Sequence, residues 1–292
     1  MGFISELFGY LLNALYELFN NYGIAIIVFS IILRIILIPI TIKQQKTMKK
    51  SAELQEEMKE ISKKYKNNPE KLNQETIELY KREKMSPFSG CLSSIVQIII
   101  ILSVFWLVSQ PLTYMKRLNN VPYYANNTES NQSVVEYYKE KLKQENENQR
   151  TGYSEIAIIN KYGAEDERVS VNMNFLGLDL SKVPSDNLND WRVYIIPALY
   201  VISSVISIKI TTNMSKKKNE DVVKENGDNN EMEAMEAMNK NMTYMMPIMS
   251  VFIAFIAPLG LALYWFISNL LMIIEKIVID KIMKHKEEKE NA

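Results

Sequence analysis

The sequence has very few residues suited to metal or thiol chemistry. Its 292 residues include one cysteine, Cys91, and one histidine, His285, so an internal disulfide, a structural zinc site or a Cys/His nucleophile pair is implausible. No phosphate-binding loop is recognisable, so no nucleotide is expected. Net charge is also lacking, because 34 basic residues balance 34 acidic ones, and no overall field attracts nucleic acid. We therefore expect neither a metal nor a cofactor.

Apolar residues, by contrast, are plentiful and are collected into long blocks. The hydrophobic content of 47% and the mean hydropathy of -0.11 would suit a soluble protein. A soluble core, however, does not need apolar blocks of about 20 residues separated by charged segments, whereas a lipid bilayer does. The sequence therefore predicts an all-α polytopic membrane protein with five transmembrane helices.

The order of the blocks predicts the division of the chain. We expect an amphipathic interfacial helix at 1–22, which lacks the features of a secretory signal, and transmembrane helices at 23–42, 90–110, 191–212, 244–257 and 259–282. Between them lie a cytosolic helical hairpin at 43–89, an extracytoplasmic segment at 111–190 and a cytosolic linker at 213–243, with a cytosolic tail at 283–292. The extracytoplasmic segment has one helix-like stretch, Ser133 to Lys143, and is otherwise weakly specified.

Basic residues near the ends of these blocks indicate the orientation. With the N-terminus outside, fifteen Lys and Arg residues flank the spans on the cytosolic side and four flank them outside. Because positive residues are retained on the inner side of a membrane, we expect an external N-terminus and a cytosolic C-terminus.

Arg34 is the residue in the predicted spans that most requires an explanation. An Arg at the centre of a membrane helix costs about 2.5–3.5 kcal/mol, and its apolar neighbours offset this cost. Ser30, Arg34, Thr41 and Gln45 share one helical face, which must therefore look into protein or water. Alternatively, Arg34 snorkels or binds backbone carbonyls.

Three other spans carry matching polar stripes. Together with the face of Arg34 they predict a hydrated intramembrane groove that binds a negative group, since the nearest acid, Glu275, falls toward the cytosolic end. The opposing interpretation is that the hydroxyls only allow close helix packing. The stripes are formed by Ser93 and Gln97, by Tyr200, Ser204, Ser207 and Thr211, and by Tyr264, Ser268 and Glu275.

Several short motifs, in order, resemble those of the YidC/Oxa insertase family. They cover about two thirds of the chain and are specific only in combination. The motifs are Asn21-Tyr22-Gly23-Ile24, Arg34 to Pro39 with Lys43-Gln44, Leu79-Tyr80-Lys81, Ser86-Pro87, Gly90-Cys91-Leu92 with Gln97, Asn174-Phe175-Leu176-Gly177, Met246-Pro247-Ile248-Met249, Pro258 to Trp265 and Ser268-Asn269-Leu270. Ser93 and Ile99 stand where the family usually has proline, which predicts a straighter second span.

The resemblance implies a membrane protein insertase and chaperone of the bacterial cytoplasmic membrane, and no enzyme. Arg34 and Gln97 would line a positively charged groove open to the cytosol and to lipid. Tyr264 and Trp265 would contact a client's transmembrane segment, and Ser30, Ser204, Ser207 and Ser268 complete the candidate client-binding residues. The implied partners are nascent membrane proteins and the lipid bilayer, with the ribosome and the Sec translocon as further candidates.

Other classes of protein fit the sequence less well. A small-molecule transporter or channel also uses a polar cavity, but we find no inverted repeat, no Gly-rich broken helices and no acidic proton relay. An intramembrane enzyme would need a nucleophile with a base, or paired carboxylates, within a span. A signalling receptor would leave the predicted groove unexplained.

Overall fold

The computed structural model describes residues 2–66, 68–83, 89–125, 128–145, 153–219, 249 and 252–290. Helices dominate the described ranges, which confirms the prediction of an all-α membrane protein. Three described helices contain stretches long and apolar enough to cross a membrane: Tyr22–Thr47, Trp191–Ile210 and Leu259–Ile279. A shorter apolar stretch, Ile98–Ser109, lies in a fourth helix.

Nine of the helices in the described ranges are numbered in chain order. They are α1 (Gly2–Phe19), α2 (Tyr22–Lys64), α3 (Pro69–Arg82), α4 (Ser89–Ser109), α5 (Pro111–Tyr114), α6 (Val134–Gln144), α7 (Ser154–Tyr162), α8 (Ile195–Asn219) and α9 (Leu259–Glu290). Residues 252–256 are also helical. Single 3₁₀ turns occupy Leu118–Asn120, Glu167–Val169, Pro184–Asp186 and Trp191–Tyr194.

Two small antiparallel hairpins interrupt the helices. Strands β1 (Pro122–Ala125) and β2 (Thr128–Ser133) form the first, with an irregular register between Pro122 and Tyr124. Strands β3 (Asn174–Phe175) and β4 (Leu178–Asp179) form the second. Both hairpins lie in the segment 111–190, which therefore has more regular structure than its sequence pattern indicates.

The chain divides into two compact units, Leu33–Val104 and Gly2–Ile32 with Phe105–Ala292. In the first unit, α3 runs beside the end of α2. Asn68 caps α3 by accepting a hydrogen bond from the Lys71 amide at 3.1 Å, and Pro69 begins the helix. Lys50 donates to the Glu83 carbonyl oxygen at 2.8 Å, and Arg82 pairs with Glu57. These contacts hold α3 and the end of α2 together as a helical hairpin.

The second unit contains the larger core. Its most buried large side chains come from α1, the start of α2, the end of α4, the segment 111–190 and the start of α9. Examples are Leu12, Tyr22, Leu107, Ile158 and Leu261. The core therefore includes residues of the segment 111–190 as well as residues of the membrane helices.

The helix bounds differ from the sequence-based division after the first span. The first span and the first helix of the predicted hairpin form one helix, α2, because the charged residues after 42 are good helix formers even though they are poorly soluble in lipid. The second span is the uninterrupted helix α4, in which Ser93 and Ile99 replace the family's prolines. Half of the predicted fourth span (244–248 and 250–251) and linker residues 220–243 lie outside the described residues.

Candidate functional site

Arg34 lies on α2 within the most hydrophobic of the three candidate spans, whose mean hydropathy is 2.8. It is half-buried, as are Thr41 and Gln45 on the same helical face, whereas Ile35 and Ile36 are exposed. In water this pattern would be inverted, with charged residues outside and isoleucines inside. The burial along α2 therefore fits a helix whose polar face is sheltered and whose apolar faces meet lipid.

The hydroxyls of α2 make hydrogen bonds within their own helix. Ser30 is buried and donates to the Ile26 carbonyl oxygen at 2.7 Å, and Thr41 donates to the Leu37 carbonyl oxygen at 3.2 Å. Such bonds satisfy a hydroxyl inside a membrane without a partner from another helix. These intrahelical bonds therefore lower the free-energy cost of placing the polar face of α2 in a membrane.

Helices α8 and α9 are joined by a buried polar cluster. The Asn269 side-chain amide donates to the Ser203 hydroxyl oxygen at 3.0 Å and to the Ser204 hydroxyl oxygen at 3.2 Å. Ser203 in turn donates to the Tyr200 carbonyl oxygen at 2.8 Å. All three side chains of the cluster are buried. Ser204 therefore takes part in helix packing, the alternative that the sequence analysis kept open for the hydroxyls.

The other candidate residues on α8 and α9 lie at different depths below the protein surface. Ser207 and Tyr264 are buried, while Trp265 and Ser268 are half-buried. The Trp265 ring lies 6.2 Å from the Tyr200 ring, measured between centroids. Trp265 therefore packs on α8 while part of its surface stays open. Gln97 belongs to α4, and its side chain lies outside the described part of the structure.

Asn269 is a residue that the sequence analysis did not choose as a candidate. It lies four residues after Trp265, so both residues fall on the side of α9 that meets α8. An amide in the middle of a predicted span is a recognisable signal, because it requires a hydrogen-bond partner in lipid. The sequence alone, however, does not indicate which helix supplies that partner.

The segment 111–190 is attached by backbone hydrogen bonds to the N-terminal ends of two candidate spans. At α9, the Leu259 amide donates to the Lys182 carbonyl oxygen at 2.9 Å, and the Gly260 amide donates to the Leu180 carbonyl oxygen at 2.8 Å. At α2, the Tyr22 amide donates to the Asn172 carbonyl oxygen at 3.0 Å. These bonds satisfy amides that lack partners within a first helical turn.

A fully buried carboxylate fixes the same segment internally. Glu155 on α7 accepts hydrogen bonds from the Thr113 amide at 2.9 Å and the Thr113 hydroxyl at 2.6 Å, and it pairs with the Lys139 ammonium at 3.1 Å. Two of the three donors come from Thr113 on α5, and the third comes from Lys139 on α6. Because a buried charge is stable only when it is paired and hydrogen-bonded, Glu155 joins these elements into one body.

Aromatic and charged side chains complete this body near α6. The Tyr123 and Tyr137 rings stack at 3.6 Å between centroids, and Tyr138 donates to the Asp166 carboxylate at 2.8 Å. The Arg168 guanidinium, which donates to the same carboxylate, holds the pKa of Asp166 below its ordinary value.

At the other end of the segment, the Lys182 ammonium and the Arg192 guanidinium lower the pKa of Asp190 from 3.8 to about 2.

Within the described ranges, no group of three or more His, Cys, Asp or Glu side chains is placed to hold a metal ion. Within the candidate spans, the described polar and charged groups include Arg34, the Asn269 amide, several serine hydroxyls and the buried Glu275.

Comparison with known proteins relates most of the chain to one family of membrane proteins. A family model described as "60Kd inner membrane protein" matches residues 14–288. The membrane protein insertase YidC of Fusobacterium nucleatum is 26% identical over 278 residues, which cover 95% of each chain. That of Treponema denticola is 25% identical over 286 residues, 97% of this chain.

Local similarity to some relatives is higher, but the coverage is lower. The membrane protein insertase YidC of Caldanaerobacter subterraneus subsp. tengcongensis is 42% identical over 108 residues, 37% of this chain. The match spans 52% of that relative, and the match to the Treponema protein spans 39% of its length. The chain thus corresponds to nearly the whole of some relatives and to only a part of others.

Proposed function

Because the chain belongs to the 60Kd inner membrane protein family, the YidC/Oxa family that its motifs resemble, we propose that it is a membrane protein insertase of the bacterial membrane. The observation that carries this proposal is the match to the Fusobacterium nucleatum insertase across 95% of both chains. The corresponding part of the chain contains the three candidate spans and Arg34. Clients are nascent membrane proteins, which the insertase transfers into lipid.

In the proposed mechanism, Arg34 receives the hydrophilic and often acidic segment of a client in an intramembrane groove, and Gln97 lies in the same groove. A guanidinium on the most hydrophobic span is a favourable partner for a carboxylate entering the membrane, because each charge lowers the cost of burying the other. The half-buried Thr41 and Gln45 extend the polar face along α2. The client's polar segment thereby crosses a shorter apolar path.

The client's apolar helix, we propose, then moves along α8 and α9 into lipid. Trp265 retains open surface on α9, and exposed apolar side chains line both helices, including Ile206 on α8 and Ile274 on α9. Hydrophobic partition drives this step. For an acidic segment that moves outward, the membrane potential adds about 2.3 kcal/mol per charge per 100 mV. No nucleotide is required.

The orientation is part of the same proposal. An external N-terminus and a cytosolic C-terminus follow from the distribution of basic residues near the spans. This orientation places the α2–α3 hairpin in the cytosol, where a ribosome or the Sec translocon would deliver a client. It also places the segment 111–190 outside.

The test of the proposal is complementation in a bacterium depleted of its native insertase. Cells would express the wild-type chain, Arg34→Ala, Arg34→Lys or the control Arg192→Ala, in which an exposed Arg at the end of a span is removed. Growth would be recorded, together with protease protection of a single-span client that carries an acidic tail. Immunoblotting would establish that the four proteins accumulate to equal levels in the membrane.

We expect the wild type, Arg34→Lys and Arg192→Ala to restore insertion, and Arg34→Ala to lose it for the acidic client. Lysine retains the cation, so rescue by Arg34→Lys separates charge from shape. Failure of the wild type to insert any client would contradict the insertase proposal. Full activity of Arg34→Ala would leave that proposal intact but would remove Arg34 from the mechanism.

A further inference from the structure

The tip of the β3–β4 hairpin has a residue that its turn does not favour. Phe175 pairs with Leu178, so the connecting loop has two residues, Leu176 and Gly177. Both have left-handed backbones, with φ of 52° and 78° respectively. Such a loop favours Asn, Asp or Gly at its first position, where a bulky side chain is strained. Turn geometry alone therefore does not account for Leu176.

The exposure of the same side chain is a second departure from ordinary local rules. Leu176 is 87% exposed, more than any other large apolar side chain in the described ranges. Asparagine would satisfy the turn and would also be hydrated. A position that breaks two local rules at once is often a functional contact.

The base of the hairpin shows the depth at which Leu176 lies. The Asn21 side chain donates to the Asn174 carbonyl oxygen at 2.7 Å, and the Phe175 ring lies so close to Gly23 that a Cβ there would overlap it. Gly23 is the second residue of the candidate span Tyr22–Thr47. Phe175 thus lies beside the start of this span, and Leu176 is the next residue in the chain. Because consecutive Cα atoms are about 3.8 Å apart, the backbone of Leu176 lies close to the membrane level at which the span begins.

Two further exposed apolar residues lie at the start of another span. Leu188 is 62% exposed and Trp191 is 71% exposed, and Trp191 is the first residue of the candidate span Trp191–Ile210. Tryptophan at the end of a span is typical of the membrane–water interface. Spans α2 and α8 both begin on this side, and α9 begins beside the same segment, at Lys182.

From this placement we propose that Leu176, together with Leu188 and Trp191, inserts into the lipid interface at the level where α2 and α8 begin. We call these three residues the outer anchor. The partner is the bilayer surface itself: the acyl chains cover the leucines, and the headgroup region takes the indole. The hydrogen bonds at Asn21 and Gly260 then connect the outer anchor to the first and last candidate spans. Lipid contact of the outer anchor does not depend on insertase activity.

The test measures how deeply a nitroxide at position 176 lies in a membrane. Cys91→Ser gives a background without cysteine, and Leu176→Cys is spin-labelled in the full chain in phosphatidylethanolamine–phosphatidylglycerol vesicles. Power saturation compares collisions with oxygen, which enriches in lipid, and with a water-soluble nickel chelate. Ile202→Cys, on the exposed face of α8, is the lipid reference, and Glu165→Cys, exposed in the loop after α7, is the water reference.

We expect the oxygen-to-nickel ratio at 176 to lie well above that at 165 and toward that at 202. A ratio at 176 equal to that at 165 overturns the proposal, and this is also the result expected if Leu176 serves a protein partner that the vesicles lack. A label at Leu188→Cys provides a second reading if the 176 variant does not fold, with the same overturning result. In Leu176→Asn, which suits the turn, the Leu188 label is expected to shift toward the aqueous ratio.

Discussion

Replacing Asn269 by leucine tests whether the polar cluster between α8 and α9 stabilises the fold. The substitution keeps the number and branching of the side-chain heavy atoms but removes the hydrogen bonds to Ser203 at 3.0 Å and to Ser204 at 3.2 Å. Interhelical hydrogen bonds in membranes contribute on average about 0.6 kcal/mol and at most about 1.7 kcal/mol each. Loss of both bonds should therefore lower the free energy of unfolding by about 1–3 kcal/mol.

The measurement is reversible unfolding of the full chain in mixed micelles, arranged as a double-mutant cycle. Ser204→Ala alone should cost about 0.6–1.7 kcal/mol, and the Asn269→Leu and Ser204→Ala double variant should cost less than the sum of the two. Ser30→Ala is the control for additivity, because Ser30 is bonded within its own helix. An Asn269→Leu protein of wild-type stability with no coupling to Ser204 would refute the assignment of the cluster to helix packing.

Three further predictions concern the segment 111–190 and its contacts. In Gly9→Ala the new Cβ would overlap the Tyr114 carbonyl oxygen, so we expect α1 to detach from the protein and to become cleavable by protease. The control is Gly2→Ala, where the new Cβ has open space and α1 should stay resistant to protease. Glu155→Ala removes a carboxylate with three donors and should lower the free energy of unfolding by about 2–4 kcal/mol, measured as in the cycle above; a neutral result would contradict its structural role. The pKa of Asp190 is lowered from 3.8 to about 2. The ionised carboxylate therefore contributes its full stabilisation of the folded state above pH 3.8, and this contribution is lost as the pH falls to about 2. The protection factors for hydrogen exchange around residues 182–192 should therefore fall between pH 4 and pH 2, and the fall should be smaller in Asp190→Asn.

The sequence predicts the membrane character of the chain well, because lipid solubility depends on composition within a window of about 20 residues. The blocks around Arg34 and Trp265 show this, and the order of the motifs predicts the family. Helix bounds are predicted less well. Hydropathy ends the first span near residue 42, but α2 continues to Lys64, since helix propensity does not follow lipid solubility.

The polar contacts could not be predicted, because they depend on which elements meet. Ser204 has the same helical spacing whether it faces a groove or Asn269, and only the packing of α8 on α9 distinguishes these arrangements. The segment 111–190 shows the same limitation. The helix α6 follows from local periodicity and from the capping box at Ser133, but the burial of Glu155 requires residues distant in sequence to converge.

The backbone bonds from the segment 111–190 to α9 have a consequence for biosynthesis. The acceptors at Leu180 and Lys182 leave the ribosome long before the donors at Leu259 and Gly260. In the orientation proposed above, these donors reach the outer side only when the last helical pair has been translocated. Completion of the contacts of the segment 111–190 would therefore be a late event in the maturation of the chain. In a truncated product that ends before residue 259, this segment would lack these two bonds.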